Sequence, residues 1–127
     1  MKIVDNRAFM RRGDDDSMTV NVKANGVVTA LKPTETLTLT VRKLPLRESP
    51  VIFSSTSAPG SNTIVIRPED TKDAEYGEYS ADVEMLTEDG LRKTVWPELD
   101  VESSTKKEAL SKCLANFVLF PEVTMYE

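Results

Sequence analysis

The chain has no histidine. That absence removes Ser-His-Asp and Cys-His nucleophilic schemes and the usual His-containing zinc sites. Cysteine occurs once, at Cys113, so neither an intramolecular disulfide nor a multi-thiolate metal site can form. No run approaches the roughly 20 apolar residues that a membrane helix needs, and no basic segment followed by an apolar stretch opens the chain. Membrane insertion and a secretory leader are therefore not expected, and the chain reads as made and folded in a reducing cytoplasm. A Walker-type phosphate loop and a Gly-x-Gly-x-x-Gly fingerprint are both missing, so no nucleotide cofactor is expected, nor any other. Excess positive charge is missing too: the formal charge is -5 and the pI about 4.9. Nucleic acid is not expected as a partner, because phosphate binding needs a basic face. The one basic cluster near the start, Arg7, Arg11 and Arg12, reads as solvated charge.

What is present fits one domain spanning residues 1–127. Such a chain buries roughly two thirds of its unfolded surface, enough for a core without staples. Apolar residues make up 39% and charged residues 29%. That balance suits an antiparallel sheet with one wet face better than parallel strands, which need continuous apolar runs.

Period-two alternation recurs in short runs separated by turn residues. Met18, Val20 and Val22 alternate with polar neighbours and end at Asn25-Gly26, a two-residue hairpin signal because both tolerate positive φ. Val27 and Val28 start the return. Leu37, Leu39 and Val41 alternate with threonines, whose β-branched side chains suit a pleated face. Val51 to Ser54 predicts an edge strand behind Pro50. A Ser/Pro/Gly loop is expected over 54–62, and a strand over 63–67 carries Ile64 and Ile66 on one face. The polar stretch 69–75 reads as a loop with room for one helical turn. Tyr79, Ala81, Val83 and Met85 form the next buried face, Asp89-Gly90 turns the chain, and Leu91, Lys93 and Val95 return on the face opposite Arg92, Thr94 and Trp96. Leu99 and Val101 continue a bent strand beyond Pro97. The spacing predicts one short helix over 103–115, capped by Ser104 or Thr105, with Ala109, Leu110, Cys113 and Leu114 on its apolar side. A last strand covers 116–120 before Pro121.

The segment from Glu75 to Ala81, with Gly77 two residues before Tyr79, resembles the tyrosine corner of immunoglobulin-like sandwiches. The resemblance implies that the phenol bonds upstream backbone, and that Ala81 stands where antibody domains carry their second cysteine. The expected fold is all-β: an immunoglobulin-like antiparallel β-sandwich with one short helix inserted before the last strand. The residues expected to matter structurally are Tyr79, Gly77, Gly26 and Gly90.

A wider resemblance rests on RRGDDDSMTVNV (11–22), LTLTVRK (37–43), NTIVIRPEDT (62–71), YGEYSADVEMLTEDG (76–90) and NFVLFPEVT (116–124). Their order is similar to that of phage and prophage tail structural proteins related to the N-terminal domain of siphophage upper baseplate proteins. This chain departs in its longer stretch between Trp96 and Ala115. The resemblance implies synthesis in a bacterial cytoplasm, a place in the virion tail, and no catalytic activity. It also implies other phage tail or baseplate proteins as partners, with a homo-oligomer as a further expectation.

Two other features bear on chemistry. Asp14, Asp15 and Asp16 form a candidate calcium site, since hard cations take several carboxylate oxygens. A solvated turn accounts for them more simply, because the spacing lacks a calcium-loop pattern. Trp96 beside Pro97 is a candidate contact, either as an exposed aromatic platform or as core. The exposed reading supports the alternative function, an immunoglobulin-like carbohydrate- or cell-surface-binding module. A two-carboxylate hydrolase is a third, minor reading that needs two acids converging in a cleft.

Overall fold

The computed structural model describes residues 1–98 and 114–121. Expectations for Leu99, Val101, Cys113 and most of the helix over 103–115 lie outside those residues. The end of that segment is described, and it differs from the expectation. Leu114 and Ala115 form a turn, Ala115 has φ 55°, and Leu114 is 52% exposed rather than facing an apolar interior.

The described chain is mostly β. A hairpin of β1 (Lys2–Val4) and β2 (Arg7–Arg11) opens it, turned by Asp5 and Asn6, both at positive φ. Sequence reasoning did not predict this pair, because β1 buries nothing and leaves no alternation to read. β3 (Asp16–Thr19) pairs antiparallel with β8 (Thr63–Ile66) in a sheet of two strands. β4 (Lys23–Ala24) and β5 (Val27–Val28) form a separate hairpin across Asn25-Gly26, where φ values of 52° and 80° fit a turn that twists with its strands. β6 (Thr36–Arg42) alternates strictly, with Leu37, Leu39 and Val41 fully buried and the threonines half-buried. Each of those three side chains contributes about 1.5–3 kcal/mol by leaving water. β7 (Val51–Thr56) is the sheet edge and runs two residues beyond the expected strand. One helical turn, α1 (Pro68–Thr71), starts at a proline whose missing N–H costs nothing there.

β9 (Gly77–Leu86) organises the large sheet, whose order is β1-β2-β11-β9-β6-β7, with β10 (Arg92–Trp96) also on β9 and β11 being Phe117–Phe120. The sheet is mixed, not purely antiparallel: β11 runs parallel to β2 and antiparallel to β9. More than a hundred residues separate β2 from β11, so no tight turn forces them to run in opposite directions. Met18, Ile64 and Ile66 of the small sheet share one buried cluster with Leu37, Leu39, Val83, Phe117 and Leu119 of the large one. Phe53 and Phe117 meet edge-on there, with centroids 5.9 Å apart.

Candidate functional site

β9 has two partners on one edge. β11 pairs with Gly77 to Tyr79, and β10 with Val83 to Leu86. Between them, Ala81 faces no strand backbone on that side. The side chain of Asn116 fills the break: its Oδ1 accepts the Ala81 N–H at 2.7 Å, and its Nδ2 donates to the Ala81 carbonyl at 2.8 Å. One buried amide thus supplies the two bonds that a strand residue would make. Sequence reasoning missed Asn116. Its only signal was an asparagine abutting an apolar strand.

Tyr79 lies beside this junction. Its ring is buried and its hydroxyl donates to the Glu75 carbonyl. Burial, with the nearby Glu75 charge, pushes the phenol up from its ordinary value, while Arg12 opposes. Gly77, two residues earlier, has φ 147° in open space, so conformation rather than crowding calls for glycine. The crossover into β9 is tied to the end of β2 as well. Arg12 donates to the Ala74 carbonyl at 3.1 Å, and the Gly13 N–H reaches the Thr71 hydroxyl at 2.8 Å.

The acidic run does not assemble a site. Asp16 is engaged by the Met1 amino group and by the Ser17 N–H, while Asp14 and Asp15 are exposed. Among the described residues no three acids, thiols or imidazoles are grouped to hold a metal. Of the two readings of Trp96, exposed platform or core, the structure has the core one: it is 6% exposed and belongs to the buried cluster. The reason is a bulge. Thr94 opposes Glu84 but Trp96 opposes Val83, so one extra residue reverses the alternation and turns the indole inward.

A concave surface lies where the β4–β5 and β9–β10 hairpins approach. It is a cavity of about 880 Å³ with Val22, Leu31, Met85 and Val95 among its apolar lining. The β9–β10 turn is closed by Gly90 at φ 84°, with the Gly90 N–H donating to the Thr87 carbonyl at 3.0 Å and the Thr87 N–H to the Leu91 carbonyl at 2.8 Å. Glu35, buried in the wall, accepts the Lys32 N–H at 2.9 Å and the Glu88 N–H at 3.3 Å. The Lys32 N–H, helped by Glu88 N–H and the Lys32 charge, holds the Glu35 carboxyl below its ordinary value against burial. A general acid needs the opposite shift. The Lys32 ammonium is held up by Glu88 at 2.8 Å, and Lys23 pairs with Glu98 at 3.4 Å. Glu35, Glu88 and Glu98 are therefore engaged in holding the groove's walls. Asp82 is the one described carboxyl pushed up, by burial and then by Glu84, with Arg42 opposing, and it does not line the groove.

A second hollow of about 700 Å³ lies along β1 and β2, beside Phe9 and Phe120, whose rings stack at 6.0 Å. Among the described residues no helix is long and apolar enough to cross a membrane. Comparison of the chain with protein-family models, with curated proteins and with solved structures gave no match in any of the three.

Proposed function

We propose that this chain is an immunoglobulin-like sandwich serving as a non-enzymatic structural component of a bacteriophage or prophage tail or baseplate, acting through protein–protein contacts. The observation that carries the reading is where the resembling stretches fall. LTLTVRK covers β6 from Leu37, NTIVIRPEDT contains β8 and α1, YGEYSADVEMLTEDG contains β9 with its turn, and NFVLFPEVT contains β11. β6, β8, β9 and β11 each supply buried residues to the shared core, and they follow the order of the resembling stretches.

The immunoglobulin-like assignment draws on three further features. Tyr79 bonds backbone four residues upstream, as a tyrosine corner does. The small β3–β8 sheet and the large sheet bury their faces in one cluster. β6, β9 and β11 lie side by side, with β2 parallel to β11 at the flank. Assembly is supported by what the surface offers: Val27, Val28 and Leu91 are all more than half exposed on the two hairpins, and β1 and β7 end the large sheet.

The test is to purify tail particles from an induced lysogen carrying the gene and to probe them with antibody against this chain. The expected result is that the chain sediments with the particles and labels one position on the tail. Its absence from intact particles would overturn the assignment.

A further inference from the structure

β4 and β10 each have one edge without a strand partner among the described residues, since β4 pairs with β5 and β10 with β9. Both line the 880 Å³ groove, and they do so with consecutive residues, 21–25 on one side and 93–95 on the other. Side chains along a strand alternate between faces, so a hollow over a face meets every second residue. A hollow that meets consecutive residues runs along the edge, where backbone N–H and C=O groups point outward.

We propose that this groove binds an extended segment of a partner polypeptide carrying a carboxylate, which adds as a strand between β4 and β10. The inference rests on the assembly reading and deepens it by naming the partner's chemistry. The charge on the two edges decides the side chain. Lys23 and Lys93 are the charged residues of 21–25 and 93–95. Lys23 is already paired with Glu98, whereas Lys93 is exposed and forms no ion pair among the described residues. An acidic side chain opposite Lys93 gives it a direct partner, beyond its longer-range attraction to Glu35, and a basic one meets a cation that has no ion pair among the described residues. Met85, Leu31 and Val22 give the neighbouring alternate position an apolar seat. Strand addition of this kind takes affinity from main-chain bonds and selectivity from alternate side chains.

The probes are three labelled heptapeptides of alternating threonine and valine: one with a central glutamate, one with a central lysine, and the glutamate peptide N-methylated at alternate amides. Fluorescence anisotropy with the full chain at low salt measures binding, and amide NMR shifts locate it. The glutamate peptide should saturate, bind about tenfold tighter than the lysine peptide, and perturb residues 21–25 and 93–95. N-methylation should abolish binding. Lys93→Glu, an exposed change whose folding circular dichroism can verify, should invert the preference. No saturation with either unmodified peptide, indifference to N-methylation, or a preference unchanged by Lys93→Glu would each overturn the proposal. A chain that enters tail particles but binds neither peptide overturns the groove and leaves the assembly reading standing. A chain that binds peptide but is missing from particles overturns that reading and supports the groove.

Discussion

Along its first part, β9 pairs with β11 at Gly77–Tyr79 and with β6 from Ser80 onward, with Tyr79, Ala81 and Val83 buried and the break in its edge at Ala81 filled by Asn116. Along its second half it rises into a hairpin with β10 whose outer residues, Leu91, Arg92, Lys93 and Thr94, are all exposed. Near Ala81 the strand is tied by buried side-chain bonds, whereas at the hairpin end it pairs with both β6 and β10 but its partner β10 is exposed along its outer residues. At the closed end, register depends on the buried hydrogen bonds between Asn116 and Ala81, with no water to replace them. At the open end it depends on a turn, two surface ion pairs and one buried carboxylate. Stability should therefore be concentrated near Ala81, and the freedom to accept a partner near Lys93.

The largest test of that contrast is Asn116→Ala. It leaves the Ala81 N–H and C=O buried and unbonded, each costing about 1–3 kcal/mol, so a loss of about 2–6 kcal/mol is expected in urea unfolding. Hydrogen exchange at Ala81 should accelerate, while amides at Glu88 and Asp89 should keep their rates. A loss below about 0.5 kcal/mol, the range of an ordinary surface change, would erase the contrast.

Tyr79→Phe is the intermediate test. It keeps the ring and removes one hydrogen bond, whose net worth is about 0.5–1.5 kcal/mol. The Glu75 carbonyl lies on an exposed residue, so water can replace the lost donor and hold the cost to that range. A cost matching that of Asn116→Ala would mean the corner, not the strand break, dominates the closed end.

This division was only half legible in the sequence, for physical reasons. Alternation reports which residues face a core, so β6, β8 and β9 could be read from Leu37–Val41, Ile64–Ile66 and Tyr79–Met85. Turn chemistry reports local φ, so Asn25-Gly26 and Asp89-Gly90 were legible as well. β1 buries nothing, and its hairpin is announced only by Asp5-Asn6. The bulge before Trp96 reverses the alternation through one unpaired residue, and no residue type at 94–96 encodes it. Asn116 acts on Ala81 from 35 positions away, and no local pattern carries a contact of that range. The groove is harder still. It exists because two hairpins leave edges facing a common space, which is a property of topology rather than of either sequence segment.

The smallest expected effect belongs to the open end and is a matter of pH. Glu35 joins the segment before β6 to the β9–β10 turn by accepting the Lys32 and Glu88 N–H groups. Those bonds favour the carboxylate, so its value in the folded chain lies below the ordinary one. A depressed folded value stabilises the fold above the unfolded-state value of about 4.3, and the contribution is lost as pH falls through the folded value. Glu35→Gln cannot ionise, so its stability should lack this component. The difference between wild type and Glu35→Gln in urea midpoint should be steady near neutrality and narrow as pH is lowered from about 5. Asp82 works in the opposite direction, because its raised value penalises the charged form and is relieved in acid. It is unchanged between the two proteins and cancels in the difference. Parallel pH profiles would mean that Glu35 does not hold the hairpin end. The wall of the groove would then owe its position to the turn at Thr87–Gly90 alone, and the open end would be held even more loosely than the contrast with Ala81 requires.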